Sequence, residues 1–105
     1  MNIQELTQAM HRFVQAQGWY APDSPKPQTL RNLAISLQLE AGEVLEHFQW
    51  REQLESPQEL ADELADVALY LLQISSLAGI DLEQAILQKL ERNYQRKWDN
   101  DLDND

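Results

Sequence analysis

Apolar residues recur along this chain with the period of an α-helix in four separate stretches, and nowhere with the alternation of a half-buried strand. Ile3, Leu6, Met10, Phe13 and Val14 define the first stretch, which Gln17-Gly18 should end. The segment from Trp19 to Pro27 holds three of the four prolines and two large aromatics. It cannot be regular helix and reads as a loop, serving either as a lid over its own core or as a platform for a ligand. Thr29 can cap a second helix whose apolar stripe is Leu30, Leu33, Leu37, Ala41, Val44, Leu45 and Phe48. Ser56-Pro57-Gln58-Glu59 combines an N-cap serine, a proline at the first helical position and a glutamate at the capping-box position. The third helix it opens carries Leu60, Leu64, Val67, Leu71 and Ile74 to about Ala78, with Gly79 as its stop. Asp81-Leu82-Glu83-Gln84 resembles another capping box and opens a fourth helix through Leu82, Ile86, Leu90 and Tyr94 toward Trp98. The expectation is an all-α domain of four helices over residues 1–98, then an acidic, disordered tail over 99–105 containing four aspartates.

Two of these helices share a spacing of acidic residues. Leu37-x-x-Glu40-x-x-Glu43-Val44 recurs as Leu60-x-x-Glu63-x-x-Asp66-Val67. On a wheel of ~100° per residue Glu40 falls between Leu33 and Val44, Glu43 lies at the margin of that stripe, and Glu63 lies beside Val67 and Ile74. Tyr70 sits on the flank it shares with Asp66, whereas Glu46 and Asp62 point away. Burying an ionised carboxylate costs several kcal/mol unless it is paired, and two carboxylates about 6 Å apart repel by roughly 3 kcal/mol at an effective dielectric near 20. A hard divalent cation such as Mg²⁺ would convert that repulsion into coordination. The alternatives are neutralisation by Arg31 or Arg51, or protonation of one or two of the carboxyls. A di-iron carboxylate bundle would require a Glu-x-x-His element that is absent, and His11 and His47 read as surface or packing residues. Gly42, inside the second helix, suggests the close approach of another backbone or a ligand.

Composition narrows the chemistry further. With 105 residues the chain is one domain, and its lack of cysteine excludes disulfides, thiolate metal sites and thiol nucleophiles. No basic-then-apolar leader opens it and no apolar run approaches the ~20 residues of a membrane span, so the expectation is a soluble, cytoplasmic protein that avoids membranes. A net charge of −10 opposes binding of a nucleic-acid polymer. Positive charge is nevertheless concentrated at Lys89, Arg92, Arg96 and Lys97. Lys89, Asn93 and Arg96 share one helical face, which suits a metal-bound phosphate or, equally, compensation of the helix dipole. The small size and a second apolar face on the third helix, at Leu69 and Leu72, call for a partner copy in a homodimer or homotetramer.

Glu40-Ala-Gly-Glu43, His47-Phe48-Gln49-Trp50 and Glu63-Leu64-Ala65-Asp66-Val67 together make the chain, from roughly Trp19 to Arg96, resemble the MazG-related nucleotide pyrophosphohydrolases. Phe48-Gln49-Trp50 and Arg31-Asn32-Leu33 are similar to the small single-domain branch that includes dCTP pyrophosphatases. The resemblance implies a four-helix MazG-like bundle completed by dimerisation or tetramerisation. It implies Mg²⁺, with Mn²⁺ as a substitute, on Glu40, Glu43, Glu63 and Asp66, and hydrolysis of a nucleoside triphosphate, a dNTP by preference, between the α- and β-phosphates. Trp50, Tyr70, Lys89, Asn93 and Arg96 become the substrate-binding candidates, and Glu43 the carboxylate that orients or deprotonates the attacking water. The chain lacks the Tyr-Pro pair common after Asn93 and has a longer proline-rich loop before Thr29 than many relatives, two departures that bear on substrate identity. The competing class is a non-catalytic helical module for dimerisation or nucleotide sensing.

Overall fold

Four α-helices, each starting where a side-chain oxygen takes up an orphan backbone N–H, make up the described part of the computed structural model, residues 1–96. The expected extension of the last helix to Trp98 and the acidic tail lie outside the described residues. Helix α1 (Ile3–Ala16) begins with a complete capping box: Asn2 Oδ1 accepts from Glu5 N at 2.8 Å and Glu5 accepts from Asn2 N at 3.1 Å. Thr29 Oγ1 accepts from Asn32 N at the start of α2 (Leu30–Glu46), and Ser56 Oγ from Glu59 N at the start of α3 (Pro57–Leu77). Asp81 does the same for Gln84 N at α4 (Leu82–Gln95). At α3 and α4 only this forward half of the expected reciprocal box forms. Gly18 (φ 77°) and Gly79 (φ 72°) take the left-handed conformation that releases the chain from α1 and α3. Because α2 stops at Glu46, Phe48 lies in the turn beyond it instead of on its stripe.

Packing converges on α3, which α2 and α1 cover extensively and α4 only slightly. Met10 and Val14 of α1 close on Leu72, joined at the edges by Ile3, Trp19, Tyr20 and Leu82, while Leu33 of α2 is buried as well. Leu72 is therefore covered by α1 and does not belong to an unpartnered face; Leu69, in contrast, stays half exposed. A polar network ties the same elements together. His11 places Nδ1 2.6 Å from the Tyr20 hydroxyl and Nε2 2.7 Å from Ser76 Oγ, which makes it a packing residue between α1, the proline loop and α3. Helix α4 leaves α3 at an angle of 102°. Leu64, Leu71, Ile86, Leu87 and Leu90 all remain substantially exposed. No single helix among the described residues is long and apolar enough to cross a membrane.

Candidate active site

The packing of α2 on α3 brings Glu40, Glu43 and Glu63 together, with one carboxylate oxygen from each within 4.8 Å of the others. Glu43 is the exposed member, and its nearby carboxyl favours the protonated form of both Glu40 and Glu63. Glu40 is pushed up to about 7, first by desolvation, then by hydrogen bonding with Glu43 and the charges of Glu43, Asp66 and Glu63. Glu63 is raised first by its hydrogen bond with Glu43 and then by desolvation, against a smaller opposing effect of His47. Raised proton affinity at Glu40 and Glu63 lowers the repulsion within the cluster.

Arginine does not neutralise it. Among the described residues Arg51 pairs with Glu55 at 3.2 Å, and none of the clustered carboxylates has an ion-pair partner. Glu40 Oε2 is sealed from solvent and accepts no hydrogen bond. A buried, orphaned carboxylate oxygen beside two further carboxylates is the donor set of a hard divalent cation, so the residues fit one. Asp66 is placed outside this group of three, exposed on α3, yet close enough for its charge to raise Glu40. A Cβ on Gly42 would meet nothing within 4 Å, so no close approach within this chain explains that glycine.

Asp66 also forms part of the wall of a cavity of about 600 Å³. Met10, Phe13 and Val14 of α1, Leu33 of α2 and Trp19 of the loop supply its apolar lining; Tyr70, Gln73, Gln28, Asn32 and Ser36 supply polar groups. Trp19 is held there by Phe13, edge-on at 5.7 Å, and by Lys26, whose ammonium lies 4.9 Å from the ring centroid. The loop aromatic accordingly packs on the core and lines a cavity at once. Of the substrate-binding candidates Tyr70 is in this wall. Trp50 is 86% exposed, and Trp50, Lys89, Asn93 and Arg96 line neither this cavity nor a second, polar cleft of about 470 Å³. That cleft is formed by Glu46, His47, Arg51, Glu59, Asp62 and Glu63. Glu46 and Asp62 therefore share surroundings with Glu63, contrary to their expected isolation. The polar residues that the sequence did not single out, Gln28, Ser36 and Gln73, had one readable signal among them: a glutamine seven residues after Asp66 in the apolar run Leu71-Leu72-Gln73-Ile74.

Three clustered carboxylates on two packed helices, beside a largely apolar cavity, form a candidate metal site in an all-α fold. Residues 35–105 match the model of the MazG-like family, and the chain belongs to that family. It is 39% identical over 75 residues to dCTP pyrophosphatase 1 of Mus musculus, covering 63% of this chain and 44% of that protein. It is 50% identical over 38 residues to a dATP/dGTP diphosphohydrolase of Salmonella phage PMBT28, covering 36% of this chain and 13% of that one. The chain matches less than half the length of these curated relatives. A crystal structure of a pyrophosphatase from Archaeoglobus fulgidus DSM 4304 has the same fold, with a TM-score of 0.71, 31% identity and 90% coverage of both chains.

Proposed function

We propose that this protein hydrolyses a nucleoside triphosphate, a dNTP by preference, at the α–β phosphate bond to give a nucleoside monophosphate and pyrophosphate. The observation that carries this reading is the orphaned Glu40 oxygen in a three-carboxylate cluster, with Asp66 linking the cluster to a cavity large enough for a nucleoside. The names of the relatives support the same substrate class. Held by Glu40, Glu43 and Glu63 with Asp66 beside them, Mg²⁺, or Mn²⁺ in its place, would neutralise phosphate charge and acidify a bound water.

The chain's own residues account for the remainder. Glu43, exposed at the rim, accepts the proton from the attacking water as its oxygen bonds to phosphorus and pyrophosphate leaves. The apolar cavity wall takes the nucleoside, with Trp19 and Tyr70 offering aromatic surface to its base. Trp50, Lys89, Asn93 and Arg96 are substrate-binding residues that reach a site only when two copies associate. The exposed apolar residues of α4 and its slight packing within one chain support such an assembly.

Chromatography of the products from a panel of canonical and modified NTPs and dNTPs, with Mg²⁺ supplied, tests the proposal. Monophosphate and pyrophosphate are expected. Diphosphate and orthophosphate would show that the wrong bond had been assigned, and no turnover of any triphosphate would overturn the enzyme reading in favour of a sensing or dimerisation module.

A further inference from the structure

Gln73 is 3% exposed and lines the cavity, yet the reaction proposed above gives it no role. Its orientation is set by a series of hydrogen bonds that starts at a backbone carbonyl. Gln28 Nε2 donates to the carbonyl of Lys26 at 2.6 Å, which turns Gln28 Oε1 toward Gln73. An oxygen there requires a donor, so Gln73 presents Nε2 to it at 2.8 Å. The same Nε2 donates to the Tyr20 hydroxyl at 3.2 Å. That hydroxyl also lies 2.6 Å from His11 Nδ1, whose Nε2 is 2.7 Å from Ser76 Oγ. Both amide hydrogens of Gln73 are thereby used. Its carbonyl oxygen takes no hydrogen bond from the described residues and is not sealed from solvent, so the little surface Gln73 retains includes a group that can only accept.

We propose that Gln73 Oε1 determines base specificity, selecting a nucleotide whose base carries an exocyclic amino group on the edge away from the sugar, cytosine or adenine, over uracil or thymine. This rests on the reading that the cavity receives the nucleoside. Asp66, Tyr70 and Gln73 lie at i, i+4 and i+7 on one face of α3, which sets Gln73 about 10 Å along the helix from Asp66. A nucleotide with its phosphates beside the acidic cluster would bring the far edge of its base to that end. A uracil carbonyl would there meet oxygen with oxygen. The amide cannot turn to offer N–H instead without breaking its bonds to Gln28 and Tyr20 and setting its own oxygen against Gln28 Oε1. Tyr20 and Gln28, which hold the amide, precede residues 35–105, the segment that matches the family model.

The test is kcat/KM for dCTP and dUTP, which differ in this group, on the wild type, Gln73→Leu and Gln28→Ala. The wild type is expected to favour dCTP by roughly tenfold or more, since a site built to bond a donor rejects an analogue lacking it. Gln73→Leu should bring the ratio near one by loss on dCTP. Gln28→Ala frees the amide to turn and should lower the ratio by gain on dUTP, a change that a merely structural role would not produce. Equal losses on both substrates for Gln73→Leu, or no preference in the wild type, would overturn the role of Gln73 and leave the hydrolase standing. Should Gln73→Leu not fold by circular dichroism, the Gln28→Ala ratio decides, and an unchanged value overturns the proposal. No turnover of any triphosphate would remove the hydrolase reading and this inference with it.

Discussion

Glu40 binds its proton more tightly in the folded protein, at about 7, than at the ordinary value of 4.5. Between those values the folded state holds more protons than the unfolded chain, so stability falls as pH rises. The contribution of Glu40 to metal-free stability is fully present below about pH 4.5 and is lost as pH climbs through 7. Thermal melts at pH 5 and pH 8 should therefore show a larger loss for the wild type than for Glu40→Gln, which should also be more stable than the wild type at pH 8 and catalytically dead. Added Mg²⁺ should raise the wild-type melting temperature at pH 8 and do less for the variant; an identical pH slope in both proteins would mean that another group carries the dependence. The acidic spacing made this cluster readable, because i,i+3 positions inside an apolar stripe can be seen in a linear sequence. A wheel does not report which neighbour stands beyond the stripe. Asp66, grouped with the other three from its spacing, also lines the cavity, and Asp62, taken as remote, borders the cleft that Glu63 lines.

At the level of the helices, starts and stops were legible because they depend on residues only a few positions apart: Thr29 on Asn32, Ser56 on Glu59, Asp81 on Gln84, and glycines at both left-handed turns. The 102° departure of α4 was not, since it is set by backbone angles across a short turn and not by any periodicity. The glycines make an instructive pair. Gly79 has a φ of 72° and Gly42 sits in regular helix with open space where a Cβ would go. Gly79→Ala should destabilise by at least about 1 kcal/mol, whereas Gly42→Ala should stabilise a single chain by up to ~1 kcal/mol. Urea denaturation measures both. A destabilised Gly42→Ala would show that something outside the chain comes close there, as the sequence suggested.

The described residues have a Cα radius of gyration of 16.6 Å, against about 13 Å for a compact globule of about this length. Together with the exposed leucines and isoleucine of α3 and α4, this extension supports the proposed association with a second copy. Analytical ultracentrifugation should find a mass at least double the 12.2 kDa of the chain, and Leu87→Glu should shift the protein toward monomer at low micromolar concentration; a wild-type monomer at high concentration would refute the assembly. Fold class was legible at this scale because helix periodicity is a local property, while the cavity was not, since α1, the proline loop and α3 meet there from distant parts of the sequence. The arrangement of neighbours around α3 has a consequence for how the native state comes apart. Helix α1 packs on α3 less extensively than α2 does, so a partial opening that releases α1 and keeps α2 on α3 is expected to need less than global unfolding. Such an opening removes Met10, Phe13 and Val14 from the cavity but leaves the three carboxylates where they are. In amide exchange α1 should therefore lose protection before the centre of α3, and nucleoside affinity should weaken on heating at temperatures where the cation is still held.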